Sequence, residues 1–250
     1  MIVSNDDQDI IDGFVAQIED SDLLTIIIEG KDDLAVYNEF EDIYGLSEPL
    51  VSVLPVGGRN TALGIFRKLK NTEHLNKTIF IVDKDQWVIK GIEEEYIHDR
   101  IICTHGYSFE NDIFIDGNLE NDLKSKNPLV FDNELPILLK WYALEVDRIQ
   151  HNRNTYNLKA HIDNIFNQEA NFTTPLEGET FPTEIYEKLL IEYPQLLRGK
   201  TLLLFYNRVM NKRDGYERSY TSKATIENVC KHKGSCLQSI FQKVDTVVKA

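Results

Sequence analysis

Asp83 and Asp85 stand one residue apart at the end of Thr78-Ile79-Phe80-Ile81-Val82, an apolar, β-branched run that reads as a strand covered on both faces. Two carboxylates at the carboxyl end of such a strand leave the sheet where open α/β folds bind their ligands. Unpaired they repel each other; a hard divalent cation between them turns the repulsion into attraction. The pattern recurs. Leu23-Leu24-Thr25-Ile26-Ile27-Ile28 ends in Glu29-Gly30, with Asp33 four residues beyond the glutamate, just after a strand-to-helix turn. Arg100-Ile101-Ile102-Cys103-Thr104 gives way to a glycine turn and then to Ser108 and Glu110. Three strands delivering acids to one edge make a divalent-metal site of oxygen ligands, with Mg2+ or Mn2+ as the expected ion.

Most of these acids also have a plainer reading, which for Asp83 and Asp85 is a solvated turn. Asp32 sits where a helix N-cap would, and Asp33 falls in the first turn, where a carboxylate satisfies orphan N–H groups and the helix dipole. Ser108 reads as an N-cap and Glu110 as an early acid of the helix that follows. Glu29 has no such alternative, because nothing in strand physics asks for a carboxylate there.

The elements that must hold these residues follow from the periodicity. Leu34, Val36, Tyr37 and Phe40 are the inward positions of a helix over 32–40. Leu50 to Val56 reads as another strand, and Gly57-Gly58-Arg59-Asn60 turns into a helix over 61–70 capped by Asn60. The paired glycines could cradle a phosphate with Arg59 assisting, or simply permit a tight turn. Four strands, each followed by helix or turn, predict an α/β fold with an open, mainly parallel four-stranded sheet. Beyond Gly117 helical spacing dominates, over 135–150, 154–167, 183–192, 201–211, 221–232 and 237–248, with a loop over 171–182. The expected organisation is an acidic amino-terminal segment (1–19), an α/β domain (20–117) and a C-terminal mostly helical lobe (118–250).

Composition bounds the function. The chain has 250 residues and a net charge of −14, unevenly spread. Residues 1–42 hold thirteen acids against Lys31 alone, a segment that could dock a basic partner surface. Residues 198–233 carry a net +6, with Arg208, Lys212, Arg213 and Arg218 interleaved with Tyr206, Tyr216 and Tyr220. Such a stretch is either a solvated helix face or a patch that neutralises phosphates and stacks on bases. Acids where a signal peptide would carry bases, no apolar run of membrane-spanning length and three cysteines lead to the expectation of a reducing, cytoplasmic setting with no membrane partner. Cys230, His232 and Cys236 lie close in sequence, yet without a second pair they read as thiols on a helix and a loop rather than a zinc site.

Glu29-Gly30, Asp83-x-Asp85 and the strand–helix alternation around them resemble a Toprim domain, the Rossmann-like metal-binding domain of topoisomerases, bacterial primases and the overcoming-lysogenization-defect (OLD) nucleases. The OLD branch is the more similar. Its glutamate-then-acid pair matches Glu29 and Asp33, its Asp-x-Asp matches Asp83 and Asp85, and its Ser-x-Glu matches Ser108 and Glu110. Lys200, in Gly199-Lys200 before an apolar helix, matches its lysine. Stand-alone Toprim proteins encoded beside an ATPase look closest, among them the toxin subunits of the PARIS anti-phage system.

The resemblance implies Asp83, Asp85 and Glu110 as metal ligands, helped by Asp33. It gives Glu29 the part of metal ligand or general acid–base, and Lys200 that of stabilising charge on the phosphate. It further implies a metal-dependent endonuclease, an effector of abortive infection that cleaves transfer RNA once released or activated by an ABC- or AAA-type ATPase, and it is compatible with a homodimer. An OLD-type DNA nuclease and a non-catalytic module holding a structural ion are the alternatives.

Overall fold

The computed structural model describes residues 5–46, 48–212 and 220–249. In chain order, helix α1 (Asn5–Asp20) precedes strand β1 (Leu24–Ile28), the short helices α2 (Leu34–Tyr37) and α3 (Glu39–Tyr44), and strand β2 (Val51–Pro55). Helix α4 (Arg59–Leu69), strand β3 (Thr78–Val82), helix α5 (Trp87–Lys90) and strand β4 (Ile101–Cys103) follow. Then come α6 (Phe109–Asp116), α7 (Leu119–Lys126), α8 (Pro128–Gln150), α9 (Ile162–Asn167) and α10 (Glu169–Thr173). The last helices are α11 (Thr183–Leu196), α12 (Gly199–Asn211), α13 (Ser222–Cys230) and α14 (Ser235–Val248).

The chain divides into two compact units, Met1–Phe109 with Cys230–Ala250, and Glu110–Val229. The first differs from the expected 20–117 domain at both ends. The acidic amino-terminal segment is largely helix, and α1 buries Ile11 and Ile18 in the core shared with Phe66 and Phe80. Gly64 permits this packing, since a Cβ there would lie 2.5 Å from the Ile11 Cδ1. Helix α14, expected in the helical lobe, belongs to the first unit. Phe40 stacks on Phe241 at 4.2 Å, the Tyr44 hydroxyl donates to Asp245 at 2.9 Å, and Lys233 pairs with Glu39.

The sheet of the first unit has four strands in the order β2-β1-β3-β4, all parallel. Burial explains the order. Every residue of β1 and β3 is buried, as central strands covered on both faces require, whereas β2 and β4 have partly exposed positions. Pro55 ends β2 at the sheet's edge, where its missing N–H breaks no ladder. Ile27, Phe80 and Val82 pack under α1 and α4. Strand alternation sends Ile26, Ile28, Ile79 and Ile81 to the opposite face.

Local differences from the sequence reading have physical causes. The helix expected over 32–40 is two pieces, because the chain tightens at Asn38 (φ −59°, ψ −22°) towards 3-10 geometry, with the Glu41 N–H donating to the Asn38 carbonyl. Val36, Tyr37 and Phe40 are buried as expected, and Leu34 is half-buried. Asn60 is not a cap; it lies inside α4, and the capping position is Gly58. With φ of +88° at Gly57 and +142° at Gly58, the turn uses two conformations that side chains resist, so the tight-turn reading of this pair holds.

The second unit is helical throughout its regular structure. Its longest helix, α8, extends the expected 135–150 segment back to Pro128. Of the helix expected over 154–167 only Ile162–Asn167 forms, and the Asn157 N–H before it donates to the Glu145 carboxylate. Among the described residues no helix is long and apolar enough to cross a membrane.

Candidate functional site

Strand order locates the site. The chain leaves β1 for β2 on one side and returns to β3 on the other, so the topological switch point lies between β1 and β3. Ligands of open α/β sheets bind outside the strand ends there. Glu29 follows β1 directly and Asp83 follows β3 directly. The pairing of Ile28 with Ile81 brings the two ends level, and Glu29 Oε1 accepts the Asp83 N–H at 2.8 Å. The first and second acid motifs of the sequence therefore meet at one crevice.

The neighbouring loops are stitched around this pair. The Asp83 carboxylate accepts the Phe109 N–H at 3.0 Å, and the Asp85 N–H donates to the Tyr107 carbonyl at 2.7 Å. The Lys84 N–H donates to Thr104 Oγ1 at 3.2 Å, Thr104 Oγ1 donates to the Gly106 carbonyl at 2.9 Å, and Lys84 Nζ donates to the His105 carbonyl at 2.8 Å. These bonds hold Asp85 in a left-handed conformation, φ +48°, which aspartate adopts more readily than most residues. On the β1 side, the Asp33 carboxylate accepts the Gly30 N–H at 2.8 Å, so one oxygen serves the turn that starts α2. Asp32, beside it, is exposed.

Electrostatics single out Glu29. Burial pushes its pKa from the ordinary carboxylate value to about 8, and the charges of Asp85 and Asp33 act the same way. The Asp83 N–H and the Arg59 charge oppose the shift without cancelling it. Four carboxylates, Glu29, Asp33, Asp83 and Asp85, thus share one crevice with Arg59. Their hard oxygens suit Mg2+ or Mn2+. Among the described residues no three of the four bring ligand oxygens within 4.8 Å of one another, so a shared ion would have to draw them inward.

The remaining expected site residues are held as follows. Arg59 is not poised for a phosphate: it donates to the Lys84 carbonyl at 2.9 Å, lies 3.3 Å from Asp85 Oδ2 and stacks 3.7 Å over the Trp87 ring. Glu110 and Lys200 belong to the second unit, Glu110 buried in the first turn of α6 and Lys200 exposed in the first turn of α12. Ser108 is buried and immediately precedes α6, as a cap would.

Part of the basic stretch can be followed within the second unit. Arg208 pairs with Glu134 and Asp163 and covers the Phe166 ring, and Lys212 pairs with Glu134. Tyr206 is buried and donates to Asp122. These contacts tie the side chains into the second unit. Arg213 and Arg218 lie outside the described residues.

Sequence reasoning missed Thr104, Lys84 and Trp87, which position the acids without resembling any motif. It also missed that His105 and Cys236, distant in sequence, bring ligand atoms within 4.8 Å of each other in the first unit.

Gly30 is the surprise of the Glu29-Gly30 motif. Its φ lies outside the left-handed range, and an added Cβ would meet nothing closer than the Asp33 Oδ2 at 3.8 Å. Gly30→Ala is therefore expected to shift stability by less than about 1 kcal/mol in a denaturant titration. A larger loss would mean that the turn needs glycine after all.

No family model matches the chain, and no curated protein matches it. What fold and site define is an α/β protein with an all-parallel four-stranded sheet and a carboxylate crevice at its switch point.

Proposed function

We propose that this chain is a Toprim-like, Mg2+- or Mn2+-dependent phosphodiester hydrolase. The observation that carries the reading is the Glu29–Asp83 bond across the switch point, with Asp33 and Asp85 acting on the same glutamate. When bound, a divalent ion polarises a phosphoryl oxygen and lowers the pKa of a coordinated water. Asp83 and Asp85 are the residues that would hold it, with Asp33 beside them. Glu29, its carboxyl pushed to about 8, is suited to hold and pass a proton near neutral pH. A cation at the site would pull that value down again and favour the part of ligand over that of proton carrier, the other role open to this residue. The loops stitched by Lys84 and Thr104 keep Asp83 and Asp85 in place without direct chemistry.

RNA is the substrate class we favour, transfer RNA in particular, with release or activation by a partner ATPase and a role as an anti-phage toxin. These finer assignments rest on the sequence resemblance alone. The −14 net charge agrees with an enzyme of low intrinsic affinity for nucleic acid, harmless until a partner delivers it.

The deciding experiment incubates the purified chain with Mg2+ or Mn2+ and a mixture of transfer RNA, other RNA and DNA, with and without any ATPase found encoded beside it. Metal-dependent cleavage that EDTA stops and Asp83→Asn reduces about a hundredfold or more is the expected result. Cleavage of DNA alone would replace the substrate, and no cleavage under any condition would replace the enzyme reading with that of a binding module.

A further inference from the structure

We propose that Arg59 is this protein's built-in counter-cation for Asp85, and that a divalent ion must compete with it for that carboxylate. The inference rests on the metal-dependent reading above and adds to it a resident positive charge that sets how tightly the site loads.

Three contacts fix the guanidinium. Nη1 donates to the Lys84 carbonyl at 2.9 Å and lies 3.3 Å from Asp85 Oδ2, while the guanidinium carbon sits 3.7 Å from the Trp87 ring centroid. The side chain is 14% exposed, against 36% for Asp85. The carbonyl bond has good length; the carboxylate contact is longer than the 2.7–2.9 Å typical of charge-assisted bonds. Asp85 is thus the looser of the two polar partners. It can turn towards an ion while Arg59 stays docked on Lys84 and Trp87.

A fixed charge in this position has two consequences. It offsets part of the mutual repulsion of the ionised acids around it when no ion is bound, and it lowers the affinity of any ion that arrives. Such a device suits a site meant to load only at high metal concentration or when a substrate phosphate adds negative charge.

The test is Mn2+ binding measured directly, by calorimetry and by loss of the free-ion paramagnetic resonance signal, on the wild-type chain and its variants. Arg59→Gln and Arg59→Met remove the charge and keep a stem over Trp87; Arg59→Lys keeps the charge. Removing one unit charge a few ångströms from the ion is expected to tighten Mn2+ binding roughly tenfold, with Arg59→Lys within about threefold of wild type. Far-UV circular dichroism checks each fold, and either neutral variant suffices. Equal or weaker Mn2+ binding in a folded neutral variant overturns the counter-cation role and leaves the metal reading standing. Absence of Mn2+ binding in wild type and variants alike overturns both.

Discussion

Glu29→Gln is expected to lower metal-dependent cleavage by about a thousandfold or more and, in the same chain, to raise stability at alkaline pH. Loss of activity follows from Glu29's position at the switch point, against the Asp83 N–H. The gain in stability follows from its proton. Burial and the Asp85 and Asp33 charges lift the folded-state pKa to about 8, while the unfolded chain gives up this proton near 4.5.

Between those values the folded state holds a proton that the unfolded state has released. Wild-type stability must therefore fall as pH rises from 4.5 to about 8 and stay reduced above it. Glutamine cannot ionise, keeps an oxygen for the Asp83 N–H, and removes the penalty, on the order of 2–4 kcal/mol at pH 9 in metal-free buffer. Denaturant titrations at pH 5, 7 and 9 in EDTA check it. Parallel pH profiles for wild type and Glu29→Gln would show that the glutamate is not held in a desolvated, acid-rich crevice. An active glutamine chain would remove it from the chemistry.

The sheet is readable because its strands advertise their burial. Leu-Thr-Ile-Ile-Ile and Thr-Ile-Phe-Ile-Val carry no polar face, so both had to be central, and the acids that end them stand out along the chain. The strand order is not readable in the same way, yet it alone makes Glu29 and Asp83 neighbours. The α1 helix is hidden by composition. Its acids suggest a tail, although Ile11, Phe14, Val15 and Ile18 recur at helical spacing and could have disclosed a buried face.

The basic stretch is hard to read for the opposite reason. Arg208 and Lys212 look free along the chain, but their partners Glu134 and Asp163 lie far away in sequence. Local charge counting registers a patch wherever long-range ion pairs are invisible. Arg59 misleads likewise, since its partner Asp85 comes from a different loop.

The same blindness covers a buried ionic cluster of the second unit. Arg148→Met is expected to destabilise that unit by about 3–5 kcal/mol. Arg148 is buried, and its guanidinium reaches Glu145 at 2.7 Å and Glu179 at 2.9 and 3.1 Å. Glu179 also accepts the Leu176 N–H at 3.0 Å and pairs with Arg153, which pins the 174–182 loop against the end of α8. Methionine keeps much of the stem's packing but removes the guanidinium that Glu145 and Glu179 share, leaving Glu179 to Arg153, and a buried charge that loses its partner costs more than the pair contributes.

Hydrogen bonds to Arg148 hold the Glu179 carboxyl down at about 2. Its contribution is therefore complete above about pH 4.5 and is lost as pH falls towards 2, a dependence that Arg148→Met should flatten. Trp141, fully buried in α8, reports this unit's unfolding, whereas Trp87 reports the first. A Trp141 denaturation midpoint equal to wild type would mean that the cluster is solvated and holds nothing together. A midpoint lowered for Trp141 but unchanged for Trp87 would show that the two units unfold independently.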